Sequence, residues 1–178
     1  MDKVVSDLQD YTRPVDATPS ETNLPALVNE IVSNLKIPAS VKISTMFHKD
    51  LTRTLVDSSL LKRVLTNLIL NGVQAISNGG KLTIKASKTN DSTIISVQDN
   101  GAGIPEKNLS RLFTPFFTTK AQGQGLGLAV CKRLIEAQNG TIKVQSQPNK
   151  GTTFTIELPN QPATGTTNHE GEIEPTHY

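Results

Sequence analysis

The chain has 178 residues, enough for one domain with a full hydrophobic core. Its 18 Lys and Arg against 16 Asp and Glu give a net charge of +2, and these scattered charges do not indicate nucleic-acid binding. No apolar run is long enough to span a membrane, and no signal peptide follows Met1. The single cysteine, Cys131, excludes an internal disulfide and fits a reducing compartment. We therefore expect a cytoplasmic chain without membrane contact, whether or not a longer parent protein is membrane-attached.

The two ends of the chain predict segments outside a central domain over residues 23–159. Residues 1–14 carry apolar side chains at helical spacing and end at Pro14, which predicts either the remnant of a helix or a frayed terminus. Residues 15–22 are rich in Pro and Thr and predict a linker. Residues 160–178 are polar and almost free of apolar side chains, which predicts a disordered tail.

The central domain predicts alternating helices and strands. Helices are expected from Leu24 until Pro38, from the cap Asp57 to about Ile76 and over 126–138, and residues 106–113 are expected to form a short helix at best. Strands are expected over 41–45, 52–56, 81–87, 93–99, 141–146 and 152–158. Cys131 falls within the apolar pattern of the last helix, so it is predicted to be buried and inert.

Asp99 ends a predicted strand on the same face as Ile95 and Val97. Because those two side chains have to be buried, Asp99 points inward, where a carboxylate needs a hydrogen-bond donor. The exocyclic amine of adenine is one such donor, and a bond to a charged group is worth roughly 1.5–3 kcal/mol. Thr152 shares parity with Phe154 in the last strand and is expected to face Asp99.

The second predicted helix carries a polar stripe beside its apolar one, formed by Arg63, Asn67, Asn71 and Gln74. A solvated helix face explains most such stripes. Asparagine is a poor helix former, however, and two of them one turn apart favour a further reason. Amide oxygens suit magnesium, which prefers hard oxygen ligands. The stripe is compatible with a solvated face or with a magnesium site.

Two glycine clusters, in residues 99–105 and 123–128, flank a predicted loop over 114–124 that contains Lys120. A loop of this length with a lysine indicates an active-site lid. The glycine-rich start of the following helix presents backbone N–H groups, which form a natural anion site. A P-loop is excluded because no G-x-x-x-x-G-K-[ST] motif is present. The second cluster lacks the preceding buried strand of a dinucleotide fold.

Together these motifs resemble the ATP-binding catalytic domain of sensor histidine kinases over roughly residues 23–159. The matching motifs are the asparagine box (Asn67 to Asn71), the first glycine box (Asp99-x-Gly101-x-Gly103), the phenylalanine box (Phe113 to Lys120), the second glycine box (residues 123–128) and the closing Gly151-Thr152 strand. The resemblance implies an α+β fold of the Bergerat type. This is a two-layer α/β sandwich, with a mixed, mostly antiparallel sheet and helices on one face.

The resemblance also implies ATP and Mg²⁺ as ligands. Asp99 and Thr152 would read the adenine, Asn67 and Asn71 would hold the metal, and Lys120 would reach the phosphates. Asn67 and Lys120 are the implied catalytic residues. The implied ATP-binding set is Asn67, Asn71, Gln74, Asp99, Gly101, Gly103, Ile104, Lys120, Gly123, Gly125, Leu126, Gly127, Leu128 and Thr152.

No histidine lies on a predicted helix in a phospho-acceptor setting: His48 is in a loop, and His169 and His177 are in the tail. The resemblance therefore implies that the acceptor lies on a dimerisation domain of the same kinase, absent from this chain. Residues 1–14 resemble the end of that domain's second helix. A response regulator is the implied downstream partner, and the chain alone is expected to be a monomer.

Two residues of the second helix stand out against related proteins. ATPases of the same fold carry a glutamate, as general base for water, at the position of Asn67. An amide does not take protons, so hydrolysis by that route is disfavoured. Gly72 stands where the family usually has alanine, which should loosen the helix by roughly 1 kcal/mol.

Two other functions stay open. A serine protein kinase of the same fold would produce acid-stable phosphoserine, whereas phosphohistidine is lost in acid. A binding module would sense ATP without transferring phosphate.

Overall fold

A computed structural model of the chain describes residues 14–49, 51, 53–120 and 124–160. The helices are α1 (Leu24–Asn34), α2 (Ser58–Ala75), α3 (Glu106–Leu109) and α4 (Gly127–Glu136). The strands are β1 (Ser20–Thr22), β2 (Val41–Phe47), β3 (Thr54–Val56), β4 (Gly80–Lys88), β5 (Ser92–Asp99), β6 (Thr141–Gln147) and β7 (Gly151–Pro159). These elements form the α+β sandwich that the sequence predicts.

The main sheet has five strands in the order β2-β4-β5-β7-β6. Only the β2–β4 pair is parallel; the other three neighbouring pairs are antiparallel. Alternate residues of β5 face the helices, and Ile95, Val97 and Asp99 are all buried there. Val97 pairs with Ile84 on one side and with Phe154 on the other. The sheet therefore places Asp99 at the end of a central strand.

Both long N-terminal helices begin at a side-chain cap. Asn23 Oδ1 accepts a hydrogen bond of 3.0 Å from the Ala26 N–H at the start of α1. Asp57 Oδ1 accepts hydrogen bonds from Ser59 N–H at 3.0 Å and Leu60 N–H at 3.1 Å at the start of α2. Each cap satisfies backbone donors that the first helical turn leaves unpaired.

The structure shortens three predicted helices. Helix α1 ends at Asn34, ahead of Pro38, where Leu35 N–H turns back to the Val32 carbonyl. Only Glu106–Leu109 is helical in the predicted 106–113 segment, and turns follow it. Helix α4 is one residue shorter at its start and two shorter at its end than predicted.

Part of the stretch with linker composition is tied to the domain. Residues Ser20–Thr22 form β1, which pairs antiparallel with β3 in a separate two-stranded sheet. Thr18 N–H also donates to Asp57 Oδ2 at 2.9 Å. Three residues are too few for an alternating pattern to be visible, which is why composition alone did not predict this strand.

The predicted helix remnant, except Pro14, and the predicted tail, except Asn160, lie outside the described residues. The domain boundaries remain predictions. Within the described part of the chain, every helix is too short or too polar to cross a membrane.

Cys131 lies in α4 and is 1% exposed. Burial raises the pKa of its thiol to about 12. The thiol stays protonated at neutral pH, and the prediction that this cysteine is buried is confirmed.

Candidate nucleotide-binding site

Asp99 is a buried carboxylate with two backbone donors. Its Oδ1 accepts hydrogen bonds from Gly101 N–H at 2.8 Å and from Thr152 N–H at 3.3 Å. Burial raises the pKa of Asp99, while these backbone N–H groups act in the opposite direction. Both bonds go to Oδ1, so Oδ2 is the carboxylate oxygen that can serve a ligand. The predicted inward position of Thr152 beside Asp99 is confirmed.

The loop after β5 passes close to two other segments. Ala102 N–H donates to the carbonyl of Ala75, the last residue of α2, at 3.0 Å. Gly103 has φ of +68°, and a Cβ there would run into the carbonyl of Gln147. Glycine is required at this point because another residue would be strained and would clash. The loop is held between α2 and the turn that joins β6 to β7.

Ser146 ties this loop to β7. Its Oγ accepts a hydrogen bond of 2.8 Å from Ile104 N–H and donates one of 2.9 Å to the Gly151 carbonyl. The same Oγ lies 2.9 Å from Thr152 Oγ1. Sequence reasoning missed Ser146. The available signal was its parity with Ile142 and Val144, which places it on the inward face of β6.

A cluster of amides on α2 surrounds the side chain of Lys120. Asn71 Nδ2 donates to Asn67 Oδ1 at 2.7 Å. Lys120 Nζ donates to Asn71 Oδ1 at 3.0 Å and to Gln74 Oε1 at 2.6 Å. The polar stripe and the lysine, which are far apart in sequence, are therefore brought together in the structure.

The oxygen atoms of this amide cluster are chemically suited to binding a cation. Two amide oxygens, from Asn71 and Gln74, converge on one positive charge. Among the residues that the structure describes, no group of three His, Cys, Asp or Glu side chains could hold a metal ion. Neutral oxygen ligands of this kind suit magnesium, which retains several waters and takes phosphate oxygens.

The second glycine cluster abuts the same amides. A Cβ on Gly127, the first residue of α4, would lie 2.6 Å from Asn67 Nδ2. Gly125 has φ of +70°, and no side chain caps α4 within the described chain. Leu126 is buried and Leu128 packs against the core, so the start of α4 is fixed. Its first backbone N–H groups therefore lie beside the α2 amides.

Gly72 allows α2, which carries the Asn67, Asn71 and Gln74 amides, to lie close to Asp99. Helix α2 continues through Gly72, where a Cβ would lie 3.5 Å from Asp99 Cβ and 2.6 Å from Leu82 Cδ1. The glycine thus allows close approach of α2 to the sheet, a role that the sequence did not indicate.

Of the predicted site residues, Gly123 lies outside the described residues. The others surround one region between α2, α4 and the ends of β5 and β7.

The chain is similar to several known proteins. Residues 56–162 match the family described as histidine kinase-, DNA gyrase B-, and HSP90-like ATPases. The signal transduction histidine-protein kinase AtoS of Escherichia coli (strain K12) is 41% identical over 166 residues, which cover 91% of this chain and 27% of AtoS. The chain thus spans about a quarter of that relative's length.

Solved structures agree with this similarity. The catalytic domain of histidine kinase ThkA, in a nucleotide-free form, has a TM-score of 0.71 and 30% identity, and the match covers 82% of this chain and 97% of that domain. ThkA in complex with the response regulator protein TrrA has a TM-score of 0.77 and 27% identity, with 90% of this chain and 47% of that chain covered.

Proposed function

We propose that this chain binds ATP with Mg²⁺ and presents the γ-phosphate of ATP to a histidine on a separate domain. The chain belongs to the histidine kinase-, DNA gyrase B-, and HSP90-like ATPase family, as a catalytic domain of the sensor histidine kinase type. The observation that carries the proposal is the position of Asp99. Within the described part of the chain, both backbone donors to this buried carboxylate serve Oδ1, which leaves Oδ2 open to a donor from a ligand. The exocyclic amine of adenine supplies that donor.

The polar groups around Asp99 divide between the two ends of the nucleotide. Asp99 and Thr152 would read the base. Asn67, Asn71 and Gln74 would hold Mg²⁺, which when bound would neutralise phosphate charge. Lys120 and the backbone N–H groups at the start of α4 would hold the phosphates. Support comes from the convergence of the amide oxygens on the Lys120 ammonium.

Phosphoryl transfer in this site would depend on position and charge. Asn67 and Lys120 are the catalytic residues that we propose, because both lie at the phosphate end of the site. Asn67 is an amide and does not accept a proton from water. This favours transfer to another protein group over hydrolysis.

The proposed partners follow from the same assignment. The acceptor histidine would belong to the dimerisation domain of the parent kinase. Because ThkA has been solved in complex with a response regulator protein, we propose that the parent kinase passes the phosphoryl group on to a response regulator.

Calorimetric titration with ATP and Mg²⁺ tests the binding step. We expect the unsubstituted chain to bind and Asp99→Asn to lose binding. If the introduced amide keeps its oxygen on the two backbone N–H groups, its NH₂ group would face the adenine amine, donor against donor. The matched control is Asp91→Asn, an exposed carboxylate in the β4–β5 turn. Failure of the unsubstituted chain to bind would contradict the proposal.

Incubation with ATP radiolabelled at the γ-phosphate tests the transfer step. We expect no label on this chain alone and acid-labile label on an added histidine-bearing domain of the parent kinase. Acid-stable label would instead indicate a serine kinase. Binding without any transfer to that domain would indicate a module that only senses ATP.

A further inference from the structure

We propose that Ser146 is a positioning residue that makes the Thr152 hydroxyl a hydrogen-bond acceptor towards the base, and that it thereby strengthens the preference for the adenine amine over an oxo group at the same position. This inference rests on the proposed function, since it concerns the base that the same site reads. Ser146 would not touch the base itself and would act on it by orienting the Thr152 hydroxyl.

The direction of each hydrogen bond follows from counting protons. A hydroxyl has one proton and two lone pairs. The Gly151 carbonyl can only accept, so it takes the Ser146 proton at 2.9 Å. The Ile104 N–H can only donate, so it occupies one lone pair of Ser146 Oγ at 2.8 Å. The 2.9 Å contact between the two hydroxyls must then run from Thr152 to the remaining lone pair of Ser146.

This direction fixes the polarity of the base pocket. The proton of Thr152 points to Ser146, so Thr152 Oγ1 presents lone pairs elsewhere. Asp99, which receives the Thr152 N–H at 3.3 Å, also presents an acceptor. Thr152 is 4% exposed and Asp99 is 5% exposed, so a ligand that covers these two acceptors has to supply donors to them.

Two adjacent acceptors match one kind of base edge. The amino group at carbon 6 of adenine carries two protons and can donate to both. An oxo group at the same position carries none, and it would face both acceptors with its own lone pairs. ATP and inosine triphosphate have the same sugar and phosphates, and at carbon 6 one is amino and the other oxo. A comparison of their affinities therefore tests whether the site presents hydrogen-bond acceptors to the group at carbon 6.

Loss of the Ser146 hydroxyl frees the proton of Thr152. In Ser146→Ala, Thr152 can rotate and donate to an oxo group. We expect the preference for ATP over inosine triphosphate to narrow by about tenfold, the scale of one hydrogen bond. Ser146→Thr keeps a hydroxyl and should keep the preference. Ser96→Ala, a partly exposed serine on the other face of β5, is the matched control.

A double-substitution cycle separates positioning from a purely structural role. Thr152→Val keeps the backbone N–H to Asp99 but removes the hydroxyl that Ser146 orients. In that background we expect Ser146→Ala to leave the ratio of the two affinities unchanged. A structural role would weaken both nucleotides alike in either background. If Ser146→Ala fails to fold by circular dichroism, Ser146→Cys, whose sulfur is a weak acceptor, carries the same expectation.

The experiment is calorimetric titration of each variant with both nucleotides in the presence of Mg²⁺. Narrowing in Ser146→Ala that is absent from Ser146→Thr and from the Thr152→Val background supports the inference. An unchanged or wider ratio in Ser146→Ala overturns it while ATP binding by the unsubstituted chain still supports the proposed function. If the unsubstituted chain does not bind ATP, both are overturned.

Discussion

Asn71 donates a hydrogen bond of 2.7 Å from its Nδ2 to Oδ1 of Asn67, one turn earlier in α2. This bond fixes the orientation of the Asn71 amide, because the nitrogen is held on the Asn67 side. The oxygen then faces Lys120 Nζ at 3.0 Å. Asn67 therefore orients Asn71, and Asn71 offers its oxygen to a positive charge.

Substitution Asn71→Ala should remove the effect of Mg²⁺ on ATP binding. The oxygen that we assign to the metal is lost, while Asp99 and Thr152 still read the base. We expect Mg²⁺ to strengthen ATP binding to the unsubstituted chain by about tenfold or more and to have little effect on the variant. The measurement is calorimetry with and without Mg²⁺. Asn34→Ala, an exposed amide in α1, is the control, and an undiminished Mg²⁺ effect in Asn71→Ala would contradict the assignment.

Asp99→Asn should stabilise the fold at pH 7 while it removes ATP binding. Burial raises the pKa of Asp99 above the ordinary value of 3.8. Between pH 3.8 and this raised pKa, the folded state holds a proton that the unfolded state has released. The stability that Asp99 contributes therefore falls as the pH rises through this range. Asparagine carries no charge and escapes this penalty.

Urea unfolding across a pH series measures this effect. The free energy of unfolding of Asp99→Asn should exceed that of the unsubstituted chain at pH 7, and the difference should shrink as pH falls towards 3.8. A variant that is less stable at pH 7 would show that the carboxylate is held for stability and not for a ligand.

Asp57 should show the opposite pH dependence. Burial alone would raise the pKa of Asp57, but hydrogen bonds from Thr18, Ser59 and Leu60 lower it overall. Its contribution to stability is present above the ordinary value of 3.8 and is lost as pH falls through the lower folded pKa. The carboxylate is thus a structural cap.

Removal of this cap tests its role. Asp57→Ala should lower the free energy of unfolding at pH 7 by about 1–2 kcal/mol. Asp57→Ser, which can still cap α2, should lose less. ATP affinity, measured on the folded variants, should not change. A large loss of affinity in Asp57→Ser would show that Asp57 also affects the nucleotide site.

The close approach at Gly72 predicts a coupled pair of substitutions. A Cβ at Gly72 would lie 2.6 Å from Leu82 Cδ1, and Leu82 is fully buried. The cost of overpacking, about 1–3 kcal/mol, is at least as large as the gain in helix propensity of about 1 kcal/mol. Gly72→Ala should therefore destabilise the fold by about 1 kcal/mol.

Leu82→Val removes the methyl group that the new Cβ would meet. By itself it should cost about 1 kcal/mol. The double variant should be more stable than the sum of the two single effects by about 1 kcal/mol, measured by urea unfolding. Strict additivity would mean that α2 and β4 do not approach as closely as described.

The sequence predicted the neighbouring positions of Asp99 and Thr152 well and the surroundings of Lys120 less completely. Asp99 and Thr152 followed from strand parity, because burial of Ile95 and Val97 fixes the face on which they lie. The α2 stripe was visible as a pattern, but its contact with Lys120 was not. That contact depends on the path of a loop 49 residues away, which no local pattern determines.

Other features also depended on tertiary structure. Strand β1 is three residues long and exists through its pairing with β3. Phe116 is 66% exposed and has φ of 64°. Bulky residues other than glycine rarely adopt a positive φ, so the sequence did not predict this conformation. Ser146 has a clear role only once Ile104 and Thr152 are brought to it from two other segments.

Heteronuclear NMR of the chain titrated with ATP and Mg²⁺ tests the central claim most directly. The two amides that donate to Asp99, those of Gly101 and Thr152, should shift on binding, together with the side-chain amides of Asn71 and Gln74. That result would place the base and the phosphates at the two ends of one site. Saturable binding that leaves all four amides unmoved would contradict the account, because the nucleotide would then lie elsewhere.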